Sequence, residues 1–332
     1  MKVLRGKSRR TAFFAVAAAA LLFFTSTVWA QTVRQHSKIS ATGKGYGVED
    51  DNAPDEQFAE SGSLATAVTT GNGISYHGGP VMKGNPVSVY FIWYGDWSNG
   101  ARDSDSSYTV NLLETLFSST GLNNSGYERI NTTYGDTTGN VTGAVVRKAS
   151  IYDNYSQGTS LTDSEVKAVV ANAITSGKLP KTSNGIYFVL SSSNVRETSG
   201  FCTRYCGFHT HASISGSDIK YAFVGNPARC PSACEAQTSS PNGDSGADGM
   251  ASIMAHESEE AISDPDLNAW YDSSGAENAD KCAWKFGPLK TASNGSAYNM
   301  TLANHNWLIQ MNWENARGGG CDLTLGGTLR TR

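Results

Sequence analysis

The strongest chemical signal in the sequence is a His-Glu-x-x-Glu segment, His256 to Glu260, which follows an apolar run rich in small residues. The pattern predicts a helix that begins near Ala247 and that Pro265 ends. Residues four apart share one helix face, so the His256 imidazole and the Glu260 carboxylate can bind one ion. Glu257 lies beside them, where the related His-Glu-x-x-His motif has its general base. The segment therefore predicts a divalent-cation site with a catalytic base.

Two ligands do not complete such a site, because catalytic zinc needs three protein ligands and structural zinc usually has four. Glu277 follows Glu260 by 17 residues, close to the spacing of the distal glutamate in gluzincin peptidases, and Asp280 lies one helical turn further on. We expect Zn²⁺ or another divalent cation to be held by His256, Glu260 and either Glu277 or Asp280. Two further carboxylates are alternatives for the third ligand: Asp264 and Asp266.

Other interpretations of these residues remain open. Glu257, Glu259 and Glu260 could form a solvated acidic face, as charge runs usually do. A carboxylate in place of a second imidazole also lowers the preference for zinc and admits harder cations. His209 and His211 lie on one face of an extended segment; they are reserve ligands, although surface or hydrogen-bonded histidines are more common.

The cysteines predict three disulfides, because their number is even and the chain is expected to be exported. The pairings that we favour close two small loops and tie down the C-terminal segment: Cys202–Cys206, Cys230–Cys234 and Cys282–Cys321. The alternative is a zinc site formed by the two Cys-x3-Cys pairs, which is disfavoured because thiols in an oxidising compartment pair first.

Residues 1–30 have the features of a secretory signal peptide: a basic start, an apolar run, and small residues before a cleavage site at Gln31. The apolar run is short for a membrane span. Residues 31–73 are rich in small and polar residues, which predicts a flexible leader. Residues 74–332 are predicted to form one domain.

The charge of the mature chain limits its partners. Five of the 26 lysines and arginines lie in the signal segment, which leaves 21 against 30 acidic residues and a net charge of −9. This acidity argues against nucleic acid or an anionic membrane as a partner. We expect a monomer that acts on a peptide or on another extracellular or cell-wall partner.

Hydrophobic patterns predict the elements that position these side chains. β-Branched and aromatic runs predict strands at 87–94, 144–152, 186–190 and 219–224, and helical spacing predicts helices at 108–118 and 162–176 before the His256 helix. This order predicts an α/β (mixed α+β) domain: a mixed central sheet, packed helices and a disulfide-stapled irregular C-terminal part. Zincin-type metallopeptidases share this element order, which is an analogy only.

Several further stretches form a recognisable set: Tyr76-His-Gly-Gly-Pro-Val-Met82, Asn85-Pro-Val-Ser-Val-Tyr-Phe-Ile-Trp-Tyr-Gly95, Gly200-Phe-Cys-Thr-Arg-Tyr-Cys-Gly-Phe-His209, Cys230-Pro-Ser-Ala-Cys234 and Ser263-Asp-Pro265. In their order, from about residue 75 to residue 265, they resemble the EXORDIUM/phosphate-induced protein family of secreted proteins. The resemblance implies an extracellular protein of the apoplast or cell wall, linked in plants to cell expansion and growth. It implies a location more than a mechanism.

Two hypotheses follow. The first is a metal-dependent hydrolase, peptidase-like, with Glu257 as its general base. The second is a non-catalytic extracellular or cell-wall interaction protein involved in growth or surface responses. They differ in whether a third ligand joins His256 and Glu260.

Overall fold

The computed structural model of the chain describes residues 71–98 and 105–328. The predicted signal peptide and most of the predicted leader lie outside the described residues, and the domain boundary at residue 74 stays a prediction. Asn72 already contacts the C-terminal part of the fold, where its side chain donates a hydrogen bond of 3.1 Å to the backbone oxygen of Asn315.

A five-stranded mixed sheet lies at the centre of the fold. Its strands are β1 (Val87–Tyr94), β2 (Val145–Asp153), β3 (Gly185–Ser191), β4 (Gly207–Ile214) and β5 (Ser217–Gly225), in the order β2-β1-β3-β5-β4. The first four strands in this order are parallel, and β4 pairs antiparallel with β5 at one edge. The predicted α/β fold with a mixed sheet is confirmed.

The sequence of each strand matches its place in the sheet. β1 and β3 are apolar runs buried along almost their whole length, as expected for central parallel strands that are covered on both faces. β2 is an edge strand, and eight of its nine residues are partly or fully exposed. β4 lies at the other edge and joins the sheet through a hairpin with β5. The sequence analysis did not predict β4 as a strand of the sheet.

In the described part of the chain, four helices accompany the sheet: α1 (Ser107–Leu116), α2 (Asp163–Thr175), α3 (Pro231–Cys234) and α4 (Ser245–Ser263). The predicted capping box opens α2, since Thr162 and Glu165 bond each other's backbone. Asp244 caps α4 by accepting from the backbone nitrogen of Ala247 at 2.9 Å. No helix within residues 71–98 and 105–328 is long and apolar enough to cross a bilayer.

Helix α4 is buried on all sides. It contacts β4, β5, α1 and the turn Glu128–Thr133, and its three central glutamates, Glu257, Glu259 and Glu260, are at most 1% exposed. The alternative of a solvated acidic face is therefore wrong, because neighbouring elements cover every side of the helix. Burial on this scale requires each carboxylate to have a compensating partner.

The remaining structure consists of short strand pairs and 3-10 turns. The strand pairs are Ser75–Tyr76 with Trp270–Tyr271, Gly135–Asp136 with Gly139–Asn140, Ser160–Leu161 with Arg196–Glu197, Lys290–Thr291 with Ala297–Tyr298, Met300–Leu302 with His305–Trp307, and Asn312–Glu314 with Gly320–Asp322. The 3-10 turns are Glu128–Thr133, Pro227–Arg229 and Asp280–Cys282. Most of these segments follow α4 and form the predicted irregular C-terminal part.

The disulfides differ from the favoured pairing. Cys282–Cys321 is confirmed, but the predicted Cys202–Cys206 and Cys230–Cys234 bonds are wrong. The structure has Cys202–Cys230 and Cys206–Cys234, with Cα atoms 5.7 and 5.6 Å apart. The two Cys-x3-Cys segments lie side by side, so equivalent cysteines of each segment meet. These two bonds link the segment that leads into β4 with α3, the helix that precedes α4.

Candidate metal centre

All four predicted ligand residues come together beside α4. His256 and Glu260 lie one turn apart, with 2.7 Å between His256 Nε2 and Glu260 Oε1. The turn formed by residues 277–282, which we call the turn after α4, brings Glu277 and Asp280 to the same place. The backbone nitrogen of Asp280 donates to Glu260 Oε1 at 3.0 Å, which holds this turn against the helix.

A fifth ligand-type side chain comes from the edge strand β4. His209 Nε2 lies 3.0 Å from Glu277 Oε2 and 3.8 Å from Glu260 Oε2. We call these five residues the His/carboxylate cluster: His209, His256, Glu260, Glu277 and Asp280. The reserve ligand His209 thus joins the site.

The cluster contains two groups of potential ligands. The first is His256, Glu260 and Asp280, and the second is His209, Glu260 and Glu277; the ligand atoms of each group all lie within 4.8 Å of one another. Ligand atoms of a tetrahedral zinc site, with bonds of about 2.0–2.2 Å, are about 3.3 Å apart. The observed separations of 2.7 and 3.7 Å from His256 Nε2 to Glu260 and Asp280 lie on either side of that value. The residue types of this donor set suit a divalent cation, which would replace the direct hydrogen bond between His256 and Glu260 by two metal bonds.

Glu257 is the predicted general base and is fully buried. Neither of its carboxylate oxygens has a hydrogen-bond partner among the described residues. The side chain is packed against Gly207 of β4, where an added Cβ would lie 3.0 Å from Glu257 Oε1. A buried carboxylate without donors costs several kcal/mol, so this side chain requires a proton or a ligand beside it.

The two cluster histidines have opposite electrostatic environments. Burial lowers the pKa of His209 to about 3. Burial acts in the same direction on His256, but the carboxylates of Glu260 and Asp280 outweigh it and raise the pKa of that imidazole to about 10. A cation at the cluster would compete with this proton, because only a neutral imidazole binds metal.

The pKa values of the glutamates at this site are raised, which favours their protonated forms. Burial, followed by the repulsion of Asp280, raises the pKa of Glu260 to about 7. Burial and the nearby Glu260 carboxylate raise the pKa of both Glu257 and Glu277 well above the usual range. Crowded carboxylates of this kind are stabilised as anions when a divalent cation lies between them.

The other two predicted alternatives for the third ligand lie elsewhere. Asp264 Oδ1 accepts from the backbone nitrogens of Asn268 and Ala269 at 2.7 and 2.6 Å, and so braces the backbone that directly follows the last residue of α4. Asp266 Oδ1 lies 2.5 Å from Lys220 Nζ and 3.9 Å from His211 Nδ1. Neither aspartate belongs to the cluster.

His211, the other reserve ligand, faces Asp218 and Asp266 at the partly exposed end of the hairpin. Lys220 Nζ lies among these carboxylates. The ammonium group of Lys220 already supplies the positive charge that a cation would bring. His211, Asp218, Lys220 and Asp266 therefore form an ion-pair network.

Glu259, on another side of α4, forms a separate pair with Glu128. Burial and then Glu128 raise the pKa of Glu259 well above its usual range, and burial raises the pKa of Glu128 to about 7. Asn312 donates to Glu259 Oε2 at 2.6 Å. Two buried carboxyl groups near each other favour their protonated forms, and no ligand-type histidine lies with them among the described residues, so we assign this pair a structural role.

Comparison with known proteins identifies the family. Residues 74–321, which include the whole cluster, match the model of the "Phosphate-induced protein 1 conserved region". The chain is 33% identical over 273 residues to Protein EXORDIUM-like 3 of Arabidopsis thaliana, covering 72% of this chain and 80% of that protein. It is 34% identical over 218 residues to Protein EXORDIUM-like 5 of the same plant, covering 60% of this chain and 59% of that protein.

A third relative has the name of the family itself. The chain is 26% identical over 220 residues to Protein PHOSPHATE-INDUCED 1 of Nicotiana tabacum, covering 60% of this chain and 67% of that protein. No solved structure matches the chain. The matched range and these relatives show that the chain belongs to the EXORDIUM/phosphate-induced protein 1 family.

Proposed function

We propose that the chain is an exported, divalent-cation-dependent hydrolase of the peptidase type. His256, Glu260 and Asp280 bind the cation, and Glu257 is the general base. The observation that carries the proposal is the convergence of these ligand groups, from α4 and the turn after it, beside a buried base with no hydrogen-bond partner among the described residues.

The chemistry follows from these positions. A bound divalent cation lowers the pKa of a coordinated water and polarises a carbonyl group. The Glu257 carboxylate, one residue after His256 on the same helix, would accept a proton from such a water and return it to the leaving group. Burial of the site strengthens these electrostatic interactions, because little solvent screens them.

Export is supported by the three disulfides, which are typical of oxidising compartments. A signal peptide at residues 1–30, predicted from the sequence, agrees with this. The extracellular space or cell wall is therefore the proposed location.

A peptide substrate is supported by the position of β4. This strand is the terminal strand of the sheet, and its residue His209 belongs to the cluster. An extended peptide can pair with the backbone of an edge strand as an additional strand.

A second candidate function is favoured by the burial of the cluster. His256 is not exposed at all and Glu260 is 1% exposed, while the side chain of Asp280 is 13% exposed. A cation enclosed in this way would brace α4 against β4 and the C-terminal part. In that case the protein is a non-catalytic extracellular interaction protein with a structural metal.

One experiment separates the two functions. The mature chain and its Glu257→Gln and Glu259→Gln variants are purified, assayed for bound metal by elemental mass spectrometry, and incubated with a peptide library. Glu259 is a matched control because it lies on the same helix but outside the cluster. We expect Glu257→Gln to keep the cation and to lose cleavage by about 100-fold or more, while Glu259→Gln keeps both.

The other outcomes are equally informative. Cleavage by Glu257→Gln at the wild-type rate contradicts the hydrolase. Bound cation without cleavage by the wild-type chain supports the structural metal. Absence of bound cation, even after incubation with Zn²⁺, contradicts both.

A further inference from the structure

We propose that the His/carboxylate cluster binds two divalent cations, with Glu260 as the bridging carboxylate. This inference rests on the proposed function in one respect, that the cluster binds a cation. It adds a second site, formed by His209, Glu260 and Glu277.

The two oxygens of Glu260 face different partners. Oε1 lies 2.7 Å from His256 Nε2, and His256 Nε2 is in turn 3.7 Å from Asp280 Oδ1. Oε2 lies 3.8 Å from the Nε2 atom of His209, which is 3.0 Å from Glu277 Oε2. Each oxygen of one carboxylate therefore has its own imidazole and its own second carboxylate.

This arrangement matches the requirements of a dinuclear site. Two-metal enzymes hold their ions about 3.5–4 Å apart, a distance that the two oxygens of one carboxylate can span. Each ion would have three protein ligands: one imidazole, one terminal carboxylate and one oxygen of Glu260. Three protein ligands with further positions left for water or substrate are typical of catalytic metal ions.

The charge of the cluster favours two cations over one. Glu257, Glu260 and Glu277 are buried, and no lysine or arginine in the described part of the chain lies within ion-pair distance of these three carboxylates. Asp280 adds a fourth carboxylate. One divalent cation brings two positive charges to these four groups, whereas two cations bring four. Uncompensated buried charge is strongly unfavourable, so all four groups can be ionised together only with two cations, whereas with one cation some of them keep a proton.

The competing explanation gives His209 and Glu277 a supporting role. In that case the imidazole donates to Glu277 and this pair only orients Glu260 around a single cation, as outer partners of metal ligands commonly do. Both explanations use the same contacts, but they differ in the number of ions bound and in the effect of removing His209.

The test counts ions and measures whether they are adjacent. Metal-free mature protein is loaded with Zn²⁺ and counted by elemental mass spectrometry after gel filtration, and a second sample is loaded with Mn²⁺ for electron paramagnetic resonance. We expect two equivalents of zinc per chain and an exchange-coupled manganese spectrum. His209→Ala and Glu277→Gln should each reduce the count from two to one and remove the coupling.

His211→Ala is the matched control, because His211 lies two residues further along β4 but outside the cluster, and it should keep both ions and the coupling. One equivalent of zinc in the wild-type chain, or two ions with an uncoupled spectrum, overturns the inference. A wild-type count of two ions in Glu277→Gln also overturns the inference. This variant preserves the shape of the side chain, so it keeps the test valid if His209→Ala fails to fold. A single bound ion leaves the proposed function standing, whereas no bound ion ends both proposals.

Discussion

Neighbouring glutamates on one helix solve the same burial problem in different ways. Burial and the neighbouring Glu128 raise the pKa of Glu259 and so favour its protonated form, and Asn312 donates to its Oε2 at 2.6 Å. Glu257 has no such partner among the described residues and lies beside ligand-type groups. Glu128 also has no hydrogen-bond partner among the described residues, so what distinguishes Glu257 at the scale of single residues is the imidazoles and carboxylates of the cluster beside it.

The Glu128–Glu259 pair predicts a pH effect on stability. The pKa of Glu128 is raised from an ordinary 4.5 to about 7 in the folded chain, so the folded state binds this proton more tightly than the unfolded state. The stabilisation is full below about pH 4.5 and is lost as the pH rises through 7. Glu128→Gln cannot lose a proton and should be more stable than wild type by about 1–3 kcal/mol at pH 8, but not at pH 4.

Urea unfolding of both proteins at pH 4 and pH 8 measures this difference. An identical pH dependence for the two proteins would show that Glu128 does not bind the proton.

Gly207 predicts a steric effect that sequence analysis did not identify. An added Cβ would lie 2.6 Å from Ile253 Cγ2, closer than real Cβ atoms approach their neighbours, and 3.0 Å from Glu257 Oε1, which is a tight contact. Gly207→Ala should therefore destabilise the fold by about 1–3 kcal/mol and lower activity through the displacement of Glu257. Urea unfolding checks the prediction against Ser213→Ala, an exposed site on the same strand; equal stability of the two variants would contradict it.

At the scale of elements, local sequence predicted most of the fold but not its edge. The apolar run of β1, the capping box of α2 and the small-residue run of α4 each determine their element locally, and the structure confirms all three. β4 was described only as an extended segment, because its mixture of polar and apolar residues becomes a strand through pairing with β5. Its histidines were therefore placed only as reserve ligands.

The capping box of α2 predicts a local stability effect. Thr162 accepts from the backbone nitrogen of Glu165 at 3.4 Å, and Glu165 accepts from the backbone nitrogen of Thr162 at 2.6 Å. Thr162→Ala should lower the free energy of unfolding by about 1 kcal/mol. Metal content should not change, because α2 contributes no residue to the cluster. A lower zinc stoichiometry in this variant would contradict that separation.

At the scale of the whole molecule, the packing of distant segments determines which residues meet, and the spacing of residues in the sequence does not predict it. Glu277 and Asp280 were rivals for one ligand position in the sequence, but the turn after α4 brings both to the cluster. Cysteine spacing likewise favoured loops within each Cys-x3-Cys segment, whereas the fold places the two segments side by side. Such contacts depend on how distant segments pack, and no local pattern contains that information.

Removal of metal should destabilise the whole domain, because the cluster joins α4, β4 and the C-terminal part. A cation present at about 100 times its dissociation constant stabilises the fold by about 3 kcal/mol, which is about 5–10 °C in melting temperature for a domain of this size. We expect a chelator to lower the melting temperature by that amount and Zn²⁺ to restore it. His256→Ala should not respond to the chelator, and a response equal to that of wild type would place the cation elsewhere.

The central claim is that a divalent cation binds between His256 and Glu260. Anomalous diffraction at the zinc edge, from crystals of the mature chain grown with Zn²⁺, tests it most directly because it locates the ion. We predict an anomalous peak about 2.0–2.2 Å from His256 Nε2 and from an oxygen of Glu260. A map with no peak at the cluster, or with its peak at His211, Asp218 and Asp266 instead, would contradict the claim.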